Sequence, residues 1–145
     1  APSGKPYEKS NVTDINKYKE LKNWYSSYVD SLGKKYGTKA VVDNSIGGDT
    51  LGLYNWDNVV RLADFKHFMK KAEEYNISPE SFGNLVKAIY FHEQGHQVYG
   101  RSETQAQRHA MHTAKKLNDS NLLEMVKFYN NNLKDVNAAE VEKAA

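Results

Sequence analysis

One run constrains the fold of this chain more than any other: Ala88-Ile89-Tyr90-Phe91-His92-Glu93-Gln94-Gly95-His96-Gln97-Val98-Tyr99-Gly100. Two histidines four residues apart, with a glutamate directly after the first, spell H-E-x-x-H. On a helix this spacing stacks both imidazoles on one face, a turn apart. Each imidazole offers a neutral nitrogen to a divalent metal, and Glu93, about 100° around the helix from His92, can reach a water on an open coordination position. The chemistry implied is metal-assisted hydrolysis, with the metal bringing the pKa of its water towards about 7 and the carboxylate taking the proton. Two hydrogen-bonded core histidines are the plainer alternative, but it accounts neither for the glutamate between them nor for two histidines on one apolar stripe.

The surroundings favour a helix. Ser78-Pro79-Glu80 supplies an N-cap, a proline at the first helical position and an acid in the first turn, so the helix is expected to run from here to about Tyr99. Phe82, Leu85, Val86 and Ile89 form its apolar stripe, which His92 and His96 continue inwards. Gly100 is the expected left-handed terminator, and Ser102-Glu103-Thr104-Gln105 reads as a capping box opening the next helix, so the chain reverses tightly. In that helix Glu103, Ala106, Ala110 and Ala114 share one face, and alanines allow close helix approach. Glu103 is therefore the leading third ligand, with Asp119 and Glu124 behind it, because a catalytic zinc usually takes three protein ligands and one water. A first-turn acid favoured by the helix dipole would also explain Glu103. His109 and His112, on a different face, are possible oxyanion or substrate contacts, and Tyr99 and Arg101 at the reversal are rivals for that role.

Elsewhere the pattern is that of one mostly helical α+β domain of four to five helices with a small β-hairpin or sheet. A polar arm (1–12) precedes the domain (13–134), and a tail (135–145) follows it. Thr13-Asp14 caps a first helix with Ile15, Tyr18, Leu21, Tyr25, Tyr28, Val29 and Leu32 at helical spacing, ended by Gly33 and Gly37. Tyr18, Trp24, Tyr25, Tyr28 and Tyr36 could be a base-stacking platform, but most lie on the apolar stripe, so a core role is expected. Lys39-Ala40-Val41-Val42 and Thr50 to Trp56 are β-favouring runs on either side of Gly47-Gly48, read as a hairpin or as a strand and edge strand. Asp57 is expected to cap a helix reaching about Tyr75, with His67 on its surface. A last helix begins near Asp119-Ser120 with Leu122, Val126, Tyr129 and Leu133 on one face.

The formal net charge of +2 is close to balance, which gives no reason to expect nucleic acid or an anionic membrane as partner. No cysteine is present, so neither disulfides nor thiolate ligands are available and His, Asp and Glu remain as metal-binding side chains. The longest apolar runs are too short to span a membrane as a helix. The compartment is left open.

His92-Glu93-Gln94-Gly95-His96 followed by Glu103 resembles the gluzincin group of zinc metallopeptidases, at the size of their minimal single-domain members. The run from Tyr99 to Ala106 is similar to small phage-type and ImmA/IrrE-type regulatory peptidases. The metzincin pattern is absent, its glycine and third histidine being replaced by Tyr99 and Ser102. The likeness covers roughly residues 78 to 117. It implies a zincin-like fold, His92, His96 and Glu103 as zinc ligands, Glu93 as general base, and an edge strand above the motif helix to which a peptide or unfolded protein segment adds as substrate. A monomeric peptidase is the expectation. The alternative is a metal-binding regulatory or interaction module with the same fold and little turnover.

Overall fold

The structure, a computed structural model, describes residues 15–133; the expected N-terminal arm, the Thr13-Asp14 cap and the C-terminal tail lie outside that range. The described residues form five helices and a three-stranded sheet. In chain order these are α1 (Ile15–Tyr36), β1 (Lys39–Val42), β2 (Gly52–Tyr54), β3 (Val59–Leu62), α2 (Phe65–Glu74), α3 (Phe82–Tyr99), α4 (Glu103–Lys116) and α5 (Ser120–Asn132). The mostly helical α+β architecture expected of the sequence is thus observed. No helix among the described residues is long and apolar enough to cross a membrane.

Both expected runs are strands of a small sheet, but they do not form a hairpin. β1 and β2 do not pair with each other: β3 lies between them, parallel to β1 and antiparallel to β2. The helix expected from Asp57 begins only at Phe65, where the Asp64 side chain caps it by accepting from the His67 backbone N–H at 2.9 Å. Val59-Val60-Arg61-Leu62 goes to the sheet because its β-branched and apolar residues alternate in burial, with Val60 and Leu62 completely buried. Asp57 and Arg61, four apart and so suggestive of a helical ion pair, instead pair across the turn that leads into β3.

The other boundaries match the expectations closely. α1 continues through Gly33 to Tyr36 and is followed by Gly37 at φ 97°. Ser78 caps a 3-10 turn, Pro79–Ser81, that runs directly into α3. Asp119 caps α5, accepting from the Leu122 N–H at 3.0 Å. His67 is partly exposed, its Nε2 3.0 Å from the Thr50 carbonyl oxygen.

From Leu21 onward the tyrosine-rich stripe of α1 belongs to the core. Tyr25 is 2% exposed, packs against Phe65, Phe68 and Phe82, and donates its hydroxyl to the Ala63 carbonyl at the end of β3. Trp24 stacks on Tyr28 at 4.3 Å, and Tyr36 meets Phe91 edge-on at 4.8 Å. These contacts hold α1 and the sheet against α3. That helix is buried on nearly every side from Phe82 to His96, and α4 and α5 cover its remaining face.

Candidate metal centre

The C-terminal half of α3 places His92 and His96 towards the interior, completely buried and 6% exposed respectively. The chain reverses at Gly100, whose φ of 78° suits a residue without a side chain and whose N–H closes the helix on the His96 carbonyl at 2.9 Å. Ser102 caps α4 by accepting from the Gln105 N–H, and Glu103, the first residue of α4, reaches back across the reversal. Its Oε2 lies 2.9 Å from His92 Nε2 and its Oε1 3.0 Å from His96 Nε2. One ligand atom from each of the three residues falls within 4.8 Å of the others, a separation at which they could hold a metal ion.

Close helix approach makes this possible. A Cβ built on Gly95 would lie 2.7 Å from both the Cα and the carbonyl oxygen of Ala106. Ala106, Ala110 and Ala114 are completely buried along the same seam. Backbone rather than a flexible side chain occupies the space, so it cannot be vacated by a rotamer change. Gly95→Ala is accordingly expected to destabilise the fold by about 1–3 kcal/mol, outweighing the better helix propensity of alanine. It should also weaken metal binding, since Glu103 rides on the displaced helix. A thermal melt and a zinc titration on one sample check both effects.

The far side of each imidazole is satisfied by a group that accepts. His96 Nδ1 donates to the Gly100 carbonyl at 2.7 Å. His92 Nδ1 donates to Gln107 Oε1 at 2.8 Å, while the amide nitrogen of Gln107 is spent on the Val126 carbonyl of α5, also at 2.8 Å. A carbonyl cannot donate, and Gln107 held by Val126 presents its oxygen. Both histidines therefore keep a proton on Nδ1 and turn Nε2 towards the common point. The hydrogen bond that protonated His96 donates from Nε2 to Glu103 raises its pKa, opposed by burial and assisted by the Gly100 carbonyl. A metal would displace this Nε2 proton, so its affinity falls as pH drops through the His96 pKa.

Gln107 was missed from sequence, although it lies one turn after Glu103 on the same face of α4 and is completely buried. Removing its acceptor with Gln107→Leu is expected to lower the affinity of the cluster for a divalent metal about 10–100-fold, as measured by competition with a chromogenic chelator.

Glu93, 3% exposed, opens with His96 and Glu103 onto a cleft of about 220 Å³ whose opposite wall is β2 and Trp56. β2 lies directly on α3: a Cβ on Gly52 would sit 2.7 Å from Ile89 Cγ2 and 3.1 Å from Glu93 Cγ. The outer edge of β2 carries no strand among the described residues.

Of the further residues singled out in the sequence, only Arg101 lines this cleft. The structure does not bring His109 and His112 there. His109 Nε2 is 2.9 Å from Gln94 Oε1, and Gln94 in turn donates to the Tyr36 carbonyl and to Thr38 Oγ1. His109 thus clasps α4 to the α1–β1 connection, and burial lowers its pKa. His112 is on the exposed face of α4, and Tyr99 is 52% exposed with its ring 6.1 Å from that of His109. Asp119 is occupied as the α5 cap and Glu124 is exposed on α5, which leaves Glu103 as the carboxylate of the cluster.

Comparison with protein-family models, with curated proteins and with solved structures returned no match to this chain.

Proposed function

We propose that the chain is a zincin-like metal-dependent hydrolase. More particularly, we infer a small zinc peptidase of gluzincin type, acting on peptides or unfolded protein segments. The observation that carries this reading is that Glu93 opens onto the same cleft as the donor cluster. Two imidazoles and a carboxylate with no thiolate suit zinc, and the outward hydrogen bonds of both imidazoles are of the kind that orient zinc ligands.

When bound, zinc would polarise a carbonyl and bring the pKa of a water down to about 7. Glu93 takes the proton of the attacking water on its carboxylate and returns it to the leaving amine. The open edge of β2 supplies backbone N–H and C=O groups to an extended peptide and so holds its scissile bond beside Glu93. A metal-binding module without turnover would have no use for a buried carboxylate in this place.

The test is hydrolysis of a pool of internally quenched peptides by the full chain, purified metal-free. Cleavage that requires added zinc and stops with a chelator supports the peptidase. Stoichiometric zinc with no cleavage across the pool would favour the regulatory module, and no zinc uptake would remove both.

A further inference from the structure

We propose that Arg101, lying over the Trp56 ring, is a specificity-determining residue that selects peptides bearing a carboxylate next to the scissile bond; the inference rests on the peptidase reading above. Among the described residues Arg101 is the one lysine or arginine lining the cleft, which Glu93 and Glu103 also line. Its guanidinium forms no ion pair among the described residues, the Glu103 carboxylate being held between the two histidines.

The guanidinium carbon lies 5.0 Å from the centre of the Trp56 ring. A guanidinium held over an aromatic ring by its charge still has its N–H fork to offer, and that fork matches a carboxylate in two parallel hydrogen bonds. Trp56 itself is placed at some cost. It is 52% exposed and sits at φ 59°, a left-handed conformation uncommon for a bulky residue. Its loop is pinned on both sides, by Asp57 paired with Arg61 and by the Asn58 N–H donating to the Tyr54 hydroxyl at 3.2 Å. The ring contacts of Trp56 are Arg101 and, at 5.7 Å, Tyr54, both of which line the cleft. The loop thus holds an exposed aromatic in a strained backbone against the cleft's arginine, which has no ion-pair partner among the described residues.

The carboxylate could be an acidic side chain or the free C-terminus of the peptide. Zinc-loaded Glu93→Gln protein permits binding to be measured by calorimetry without turnover. Four versions of one short peptide serve as probes: neutral with an amidated end, the same with a central glutamate, the same with a free C-terminal carboxylate, and the same with a central lysine.

One carboxylate-bearing peptide is expected to bind about tenfold more tightly than the neutral one, the gain of a charge-assisted hydrogen bond; which of the two gains it identifies the source. Adding Arg101→Gln should abolish the difference, and Trp56→Ala should reduce it. Both positions are exposed, so neither change threatens the fold. Equal affinity for all four peptides, binding to none, or a preference that survives Arg101→Gln would overturn the proposal. The peptidase reading fails by a separate observation, absence of neutral-peptide hydrolysis by the zinc-loaded wild type.

Discussion

Glu93→Gln is expected to retain one equivalent of zinc and to slow peptide hydrolysis about 100- to 10,000-fold, the contribution usual for a positioned general base. The amide is close to the carboxylate in size, so the buried position at 3% exposure should accept it with little change in packing. Glu93 is not one of the three donors within 4.8 Å of one another, which is why metal content and turnover should separate in this variant. Steady-state rates alongside elemental analysis of the same preparation provide the check. Equal loss of zinc and activity would place Glu93 among the ligands; unchanged turnover would remove its role as base.

Loss of zinc itself is the second large effect, expected from His96→Ala and from Glu103→Ala. Each removes one of three donors, so affinity should fall by more than the roughly 100-fold that loss of an outer-shell partner costs at most. Glu103→Ala is the cleaner of the two, because that side chain is 45% exposed and leaves no void in the core. A folded protein that binds zinc is stabilised in proportion to the logarithm of free metal over Kd, by about 2.7 kcal/mol at a hundredfold excess over Kd. Zinc should therefore raise the melting temperature of the wild type and leave that of both variants nearly unchanged. Retention of one equivalent by Glu103→Ala would show that the third donor is another group.

The cooperation of Gly95, Gln107 and Glu103 explains how so small a chain could assemble such a centre. Gly95 admits the α4 backbone to α3, Ala106 fills the contact, and Glu103 and Gln107, one turn apart on α4, reach the two ring nitrogens of His92. Val126 on α5 then holds the Gln107 amide. Three helices thus orient one imidazole. A substitution in α5 that shifted the Val126 carbonyl would act on the centre through Gln107 without touching any ligand.

Much of this was legible in the sequence because it is local. The helical period of α3, the Ser78 and Ser102 caps, the Gly100 terminator and the alanine face of α4 each depend on neighbours within about a turn. From them follow the burial of His92 and His96 and the return of Glu103. What the tertiary structure decided was non-local. Val59-Val60-Arg61-Leu62 is a strand because β1 and β2 stand on either side of it with partners for its backbone, a fact that no pattern within 57–75 contains. His109 turned from the cleft because Gln94 and Thr38, far away in sequence, offered a half-buried network. Gln107 joined the centre because Val126 was there to orient it. Spacing along one helix determines which side chains share a face; what that face meets is set by the packing of the other elements, whose contacts are separated by tens of residues.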